Sequence, residues 1–213
     1  DPIRPIPYNS ASLGSFEVHL AGIPFIVNVG QLSEDRLLNE AFSQTAAHTA
    51  LTLDNINNFC WKNKKYDPVK VLQIGPATGG MLVKLSHDGY GESHGSIPDR
   101  QIYLTTGGGN LRGSDTLRYT GAPGEIPKTC IVRFHLHPRI RAATVSNGTV
   151  VLKISSQKAG WIFKCNGANP VLEPSVYFEG KQRLSSQQVV LRMHAHDIRH
   201  VSEKTLKWSF KRQ

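Results

Sequence analysis

Residues 142–154 read Ala142-Ala143-Thr144-Val145-Ser146-Asn147-Gly148-Thr149-Val150-Val151-Leu152-Lys153-Ile154. Asn147-Gly148 stands between two strand patterns, and both residues readily take the positive φ values that a two-residue hairpin turn demands. The stretch predicts a hairpin with strands over Ala142 to Val145 and Thr149 to Ile154. Short runs of the same kind extend outward on both sides. Upstream lie Val69 to Ile74, Gly80 to Leu85, Gln101 to Thr105 and Thr129 to Leu136; downstream lie Gly160 to Cys165, Val171 to Phe178, Gln187 to Met193 and Thr205 to Phe210. Turns with Gly or Asn separate most of them, and helical periodicity is almost absent. That pattern predicts an all-β sandwich or barrel and excludes a parallel α/β sheet.

Nearer the start, Phe16 to Val29 splits at Ala21-Gly22 and reads as a further hairpin. Ser33, as a helix N-cap ahead of Glu34 and Asp35, with Leu37, Leu38, Ala41 and Phe42 at helical spacing, predicts at most one short helix. An extended pattern resumes at Leu51 to Leu53.

With 213 residues, 39% hydrophobic and 19% charged, the chain can bury a core as one large β domain or two small ones. The formal charge is +9, which favours anionic partners such as acidic polysaccharide, nucleic acid or anionic lipid. The bases are scattered in the first half and denser after Lys128, ending in Lys204, Lys207, Lys211 and Arg212, but form no compact run, so no specific nucleic-acid partner is expected. No run approaches the length of a membrane span, and no membrane partner is expected. The opening Asp1-Pro2 reads as an excised or processed boundary. Cys60, Cys130 and Cys165 are an odd set without CxxC spacing, which argues against a disulfide framework and a thiolate zinc site and for buried small hydrophobes.

Nine histidines hold most of the candidate chemistry. In Phe134-His135-Leu136-His137, strand alternation puts the two imidazoles on one face, where they would bind a metal given a third ligand or bond to a neighbouring strand. His48, among small residues, is a candidate metal ligand or proton-transfer group, or a structural histidine. His87-Asp88-Gly89-Tyr90 offers an imidazole, a carboxylate and a phenol round a turn in which Gly89 is expected at positive φ. His194, His196, Asp197 and His200 fall in one loop-like stretch. Gly107-Gly108-Gly109-Asn110 lacks the Lys-Ser/Thr ending of a phosphate loop and reads as a turn.

Five strings in order, His87-Asp88-Gly89-Tyr90, Arg100-Gln101-Ile102-Tyr103-Leu104, Leu111-Arg112-Gly113-Ser114-Asp115, Val132 to Pro138 and Glu173-Pro174-Ser175-Val176-Tyr177, resemble the heparinase II/III-like polysaccharide lyases. Phe25 to Gly30 and Ala46-Ala47-His48-Thr49 with Leu51 to Asp54 extend the likeness almost to the N-terminus. The resemblance implies that 1–213 is a single C-terminal antiparallel β-sandwich domain. Its implied partners are an N-terminal α/α toroid, not included in this chain, and an acidic polysaccharide bound between the two. It implies β-elimination of a uronate-containing glycan, with most catalytic groups supplied by the toroid. A bacterial source is expected, with the compartment, periplasmic or cytoplasmic, left open.

By the same resemblance His48 is a catalytic candidate, and His87, Tyr90 and Arg100 are substrate-binding candidates. A zinc ion is implied on His48, on Asp67 or Asp54, and on a second histidine. Pro98 stands where the family usually carries that histidine; His94 is the substitute from the same loop, with His87 ranked behind it. The competing reading from another class is a stand-alone β-sandwich module that binds acidic polysaccharide or another polyanion without catalysis. A third is a domain that serves folding and packs on the toroid.

Overall fold

A computed structural model describes residues 11–20, 22–30, 36–59, 69–121, 124–145, 148–155 and 159–213. Its strands are β1 (Val18–Leu20), β2 (Ile23–Ile26), β3 (Leu51–Leu53), β4 (Val69–Ala77), β5 (Gly80–His87), β6 (Ser96–Thr105) and β7 (Asn110–Tyr119), followed by β8 (Thr129–His135), β9 (Ile140–Thr144), β10 (Val150–Ile154), β11 (Gly160–Asn166), β12 (Pro170–Glu179), β13 (Gln182–His194) and β14 (Glu203–Arg212). An eight-stranded antiparallel sheet has the order β4-β5-β6-β7-β14-β11-β10-β9, and a four-stranded sheet has the order β12-β13-β8-β3. The pair β1-β2 forms a third, small sheet, and β2 reaches the four-stranded one through a bridge from Ile26 to Leu136. The fold is the all-β sandwich expected.

The opening hairpin is present: β9 and β10 pair antiparallel from Val150 opposite Thr144 to Ile154 opposite Ile140. Its turn residues Ser146 and Asn147 lie outside the described residues, as does the Ser33 cap. The expected helix is α1 (Arg36–Phe42), and two further single turns, α2 (Gly91–His94) and α3 (Ile198–Val201), occupy stretches read as loop.

Period-two alternation makes the core. Leu206, Trp208 and Phe210 of β14 are buried, as are Trp161 and Phe163 of β11 and Val132 and Phe134 of β8. Phe134 lies at the centre, with ring centroids 4.9 Å from Trp208, 5.4 Å from Phe210 and 5.6 Å from Phe163 in tilted or edge-on contacts that aromatic quadrupoles favour. Strand β7 has no counterpart among the runs expected from sequence. Its buried face reads Leu111, Gly113, Asp115, Leu117, so a glycine and a carboxylate interrupt the apolar signal. Gly113 is required by packing, because a Cβ there would stand 2.4 Å from the Trp208 ring. Asp115 is held by an ion pair.

Candidate functional site

Most of the candidate residues converge beneath the β5-β6 end of the large sheet. Arg100 of β6 is 4% exposed and donates from Nε to Asp115 Oδ1 at 2.6 Å, and from Nη1 to the carbonyls of Gly14 at 2.7 Å and Thr49 at 2.5 Å. Trp208 Nε1 donates to the other oxygen of Asp115 at 2.8 Å. The guanidinium therefore ties together the N-terminal segment, the residue after His48 and two strands. Such a buried pair holds its geometry because either charge left alone would be strongly unfavourable.

His87, Pro98 and Arg100 border an enclosed void of about 10 Å³, room for about one water. His87 is buried, and its Nδ1 accepts the Gly89 amide at 3.3 Å. Burial, reinforced by the charge of Arg100, lowers the His87 pKa to about 4. Gly89 does not take the positive φ expected of it. Its lack of a side chain serves close approach instead, since a Cβ would fall 1.8 Å from the Asn58 carbonyl oxygen.

Tyr90 is fully buried: its hydroxyl donates to the Ile56 carbonyl at 2.8 Å and accepts the Leu53 amide at 3.2 Å. Burial pushes the phenol upward in pKa, so it stays protonated. Its ring stands edge-on to His94, with centroids 5.6 Å apart. His94 Nδ1 is 2.8 Å from Ser93 Oγ, and its Nε2 is 3.8 Å from Asp54 Oδ2. Burial pushes the Asp54 carboxyl up, but the Lys128 and Thr129 amides, the Thr129 hydroxyl and the charge of His94 outweigh it and hold the pKa below the usual value. Asp54 thus closes the end of β3 against the start of β8.

His48 follows a 3₁₀ turn over Thr45–Ala47. Its Nε2 donates to the Phe42 carbonyl at 2.8 Å, and burial lowers its pKa to about 4. The imidazole is neutral at pH 7 and turned into the protein. Its electrostatic neighbour is His135, which burial also brings down to about 4 and which bridges Ala46 O at 3.0 Å and Ser175 Oγ at 2.9 Å. His135 therefore takes the interstrand role that its HxH position allowed. His137 accepts the Arg139 amide at 3.2 Å and packs edge-on to Tyr177.

Asp67 lies outside the described residues. Among the described residues no three His, Cys, Asp or Glu side chains converge, and of the candidate zinc ligands only Asp54 and His94 approach one another. Cys130 is free and buried as expected, Cys165 is free but only half-buried, and Cys60 lies outside the described residues.

The opposite face of the same sheet is open. A hollow of about 510 Å³ spans β5, β6, β7, β14 and β11, with Tyr103, Arg112, Lys164 and Lys207 on its wall. These residues were missed from sequence because each is commonplace and they come from four separate strands. The signal that was available is alternation: Lys207, Ser209 and Lys211 interleave with Leu206, Trp208 and Phe210.

A family model for the heparinase II/III-like C-terminal domain matches residues 6–209. The chain belongs to this family. Among solved structures it is similar to a heparan sulfate lyase HepC mutant from Pedobacter heparinus, with TM-score 0.69 and 14% identity over 95% of this chain and 30% of that one. It is also similar to a heparinase III gene product, with TM-score 0.72 and 12% identity over 96% of this chain and 30% of that one. At such identity the likeness establishes the fold. A sequence relative is the FtsZ-localized protein C of Caulobacter vibrioides, 29% identical over 120 residues that make up 54% of this chain and 21% of that protein. This heparinase II/III-like domain thus spans about a fifth of that relative's length and less than a third of each solved lyase. No helix among the described residues is long and apolar enough to cross a membrane.

Proposed function

We propose that this domain is the β-sandwich half of a polysaccharide lyase and forms one wall of a cleft for a uronate-containing acidic glycan. The observation that carries the reading is the family match over residues 6–209, in a fold shared with two larger lyases of which it spans 30%. Elimination needs a base at the proton beside the carboxylate, charge stabilisation of the intermediate and an acid at the leaving oxygen. Within this domain the Tyr90 hydroxyl and the Nε and Nη1 of Arg100 are committed to internal hydrogen bonds, and His48 is buried against the Phe42 carbonyl. These groups frame the wall, and the proton-transferring groups belong to the remainder of the longer protein.

The test is a lyase assay that follows the ultraviolet absorbance of unsaturated uronate over heparin-like and alginate-like polymers. The expected result is activity from the longer protein and none from this chain alone. Turnover by the chain alone would overturn the division of labour. A longer protein that binds but never cleaves acidic glycan would favour the non-catalytic module, a reading to which the open basic hollow also lends support.

A further inference from the structure

The polar face of the eight-stranded sheet is ordered in two rows. Buried Leu111, Asp115 and Leu117 on β7 and buried Leu206, Trp208 and Phe210 on β14 fix which residues point inward, so their neighbours in sequence point out. The register then sets Tyr103, Arg112, Ser209 and Lys164 side by side on β6, β7, β14 and β11. The adjacent row runs Lys84, Gln101, Ser114, Lys207 and Asn166 across β5 to β11. Arg112 and Lys164 stand two strands apart, which is about 10 Å at ordinary strand spacing.

Among the described residues no carboxylate pairs with Arg112, Lys164 or Lys207; the acid in the next row, Asp99, is engaged by Arg118 at 3.1 Å. Arg112 is held with its Cζ 4.5 Å from the Tyr103 ring centroid, and the Tyr103 hydroxyl is anchored on the Thr78 carbonyl at 2.7 Å. The planar donor fork is therefore positioned before any ligand arrives, and its geometry suits carboxylate or sulfate oxygens.

We infer that this face binds an acidic polysaccharide lying across the strands, with Arg112, Lys164 and Lys207 taking its anionic groups. Gln101, Ser114, Ser209 and Asn166 meet its hydroxyls. The inference rests on the glycan reading above and gives it an address outside the buried cluster. The face favours a sugar chain over a nucleic acid because, of the two rings that line the hollow among the described residues, Tyr103 is covered by Arg112 and Trp208 is buried in the core, which leaves no exposed platform on which bases stack.

The test is calorimetric titration of this chain, at low and physiological salt, with an alginate oligosaccharide, a heparin oligosaccharide, a dextran of similar length and a DNA duplex. The alginate and heparin arms separate carboxylate from sulfate recognition. Lys164→Gln/Lys207→Gln keeps the Arg112 packing, Arg112→Gln is added to it, and Arg183→Gln on the four-stranded sheet is the control. Binding of an acidic glycan but not dextran is expected, weakened about tenfold or more by the double variant and unchanged by the control. Binding that survives the triple variant would refute this face while leaving the glycan reading intact. No binding of either acidic glycan by the wild-type chain would sink the glycan reading itself. Binding of DNA as tight as of either glycan would overturn the choice of ligand class.

Discussion

Strand β6 separates two regions built from similar chemistry and set to opposite tasks. On its inner side Arg100 is locked between Asp115 and two carbonyls, close to His87, with His48 and Tyr90 buried nearby. On its outer side Gln101 and Tyr103 face Arg112, Lys164 and Lys207 in the open. The same guanidinium group is a structural fastener at position 100 and an available anion receptor at position 112. Burial and the nearest carboxylate decide which, and residue type does not. The lesson for a lyase-family sandwich is that chemically rare side chains can build the frame while ordinary lysines present the surface.

The sharpest way to break this contrast is Asp115→Ala, which strands the Arg100 charge and the Trp208 indole N–H. It is expected to destabilise the fold by about 3–5 kcal/mol in urea titration. A loss under 1 kcal/mol would mean that Arg100 reaches solvent and that the inner region is not a fastener.

Taken per residue, a pH series follows in size. His48, His87 and His135 each have a folded-state pKa of about 4, below the ordinary value of 6.5. The unfolded chain gains these protons first, so their neutral burial is fully tolerated above pH 6.5 and stability is lost as pH falls from there toward 4. At pH 5 the loss is about 2 kcal/mol per histidine relative to pH 7. Thermal melts should show a falling midpoint, with a shallower fall in His87→Gln; superimposable profiles of variant and wild type would place His87 in contact with water.

Tyr90→Phe removes one internal donor and leaves the Leu53 amide without its acceptor, for an expected loss of about 1–2 kcal/mol in the same urea assay. Unchanged stability would mean that water replaces the hydroxyl and that the pocket is less closed than its burial implies. At the small end, Lys164→Gln/Lys207→Gln should shift stability by no more than about 0.5 kcal/mol, because exposed side chains that pair with no carboxylate among the described residues hold little together. A larger loss would make the outer face part of the frame as well.

The strands around Asn147-Gly148 were legible because alternation and turn chemistry are local, and nearly all of them lie where the runs placed them. Strand β7 was not legible, since Gly113 and Asp115 occupy core-facing positions and make sense only opposite Trp208 and Arg100. Likewise α3 falls in a histidine-rich stretch read as loop, where Ile198 is buried in the core. The gathering of His87, Tyr90, His94 and Arg100 was anticipated only through ordered family motifs. Their inward orientation was beyond reach, because a motif carries identity and order without carrying which side of a sheet faces water.

By itself the sequence determined an all-β sandwich with excess positive charge and membership of the heparinase II/III-like family, because periodicity, turns and ordered motifs are written along one dimension. Only the tertiary structure decided that His48, His87, Tyr90 and Arg100 are buried, and that Arg112, Lys164 and Lys207 share one open face. Register between strands distant in sequence sets both outcomes, since it alone fixes which side chains lie side by side and which are sealed from solvent.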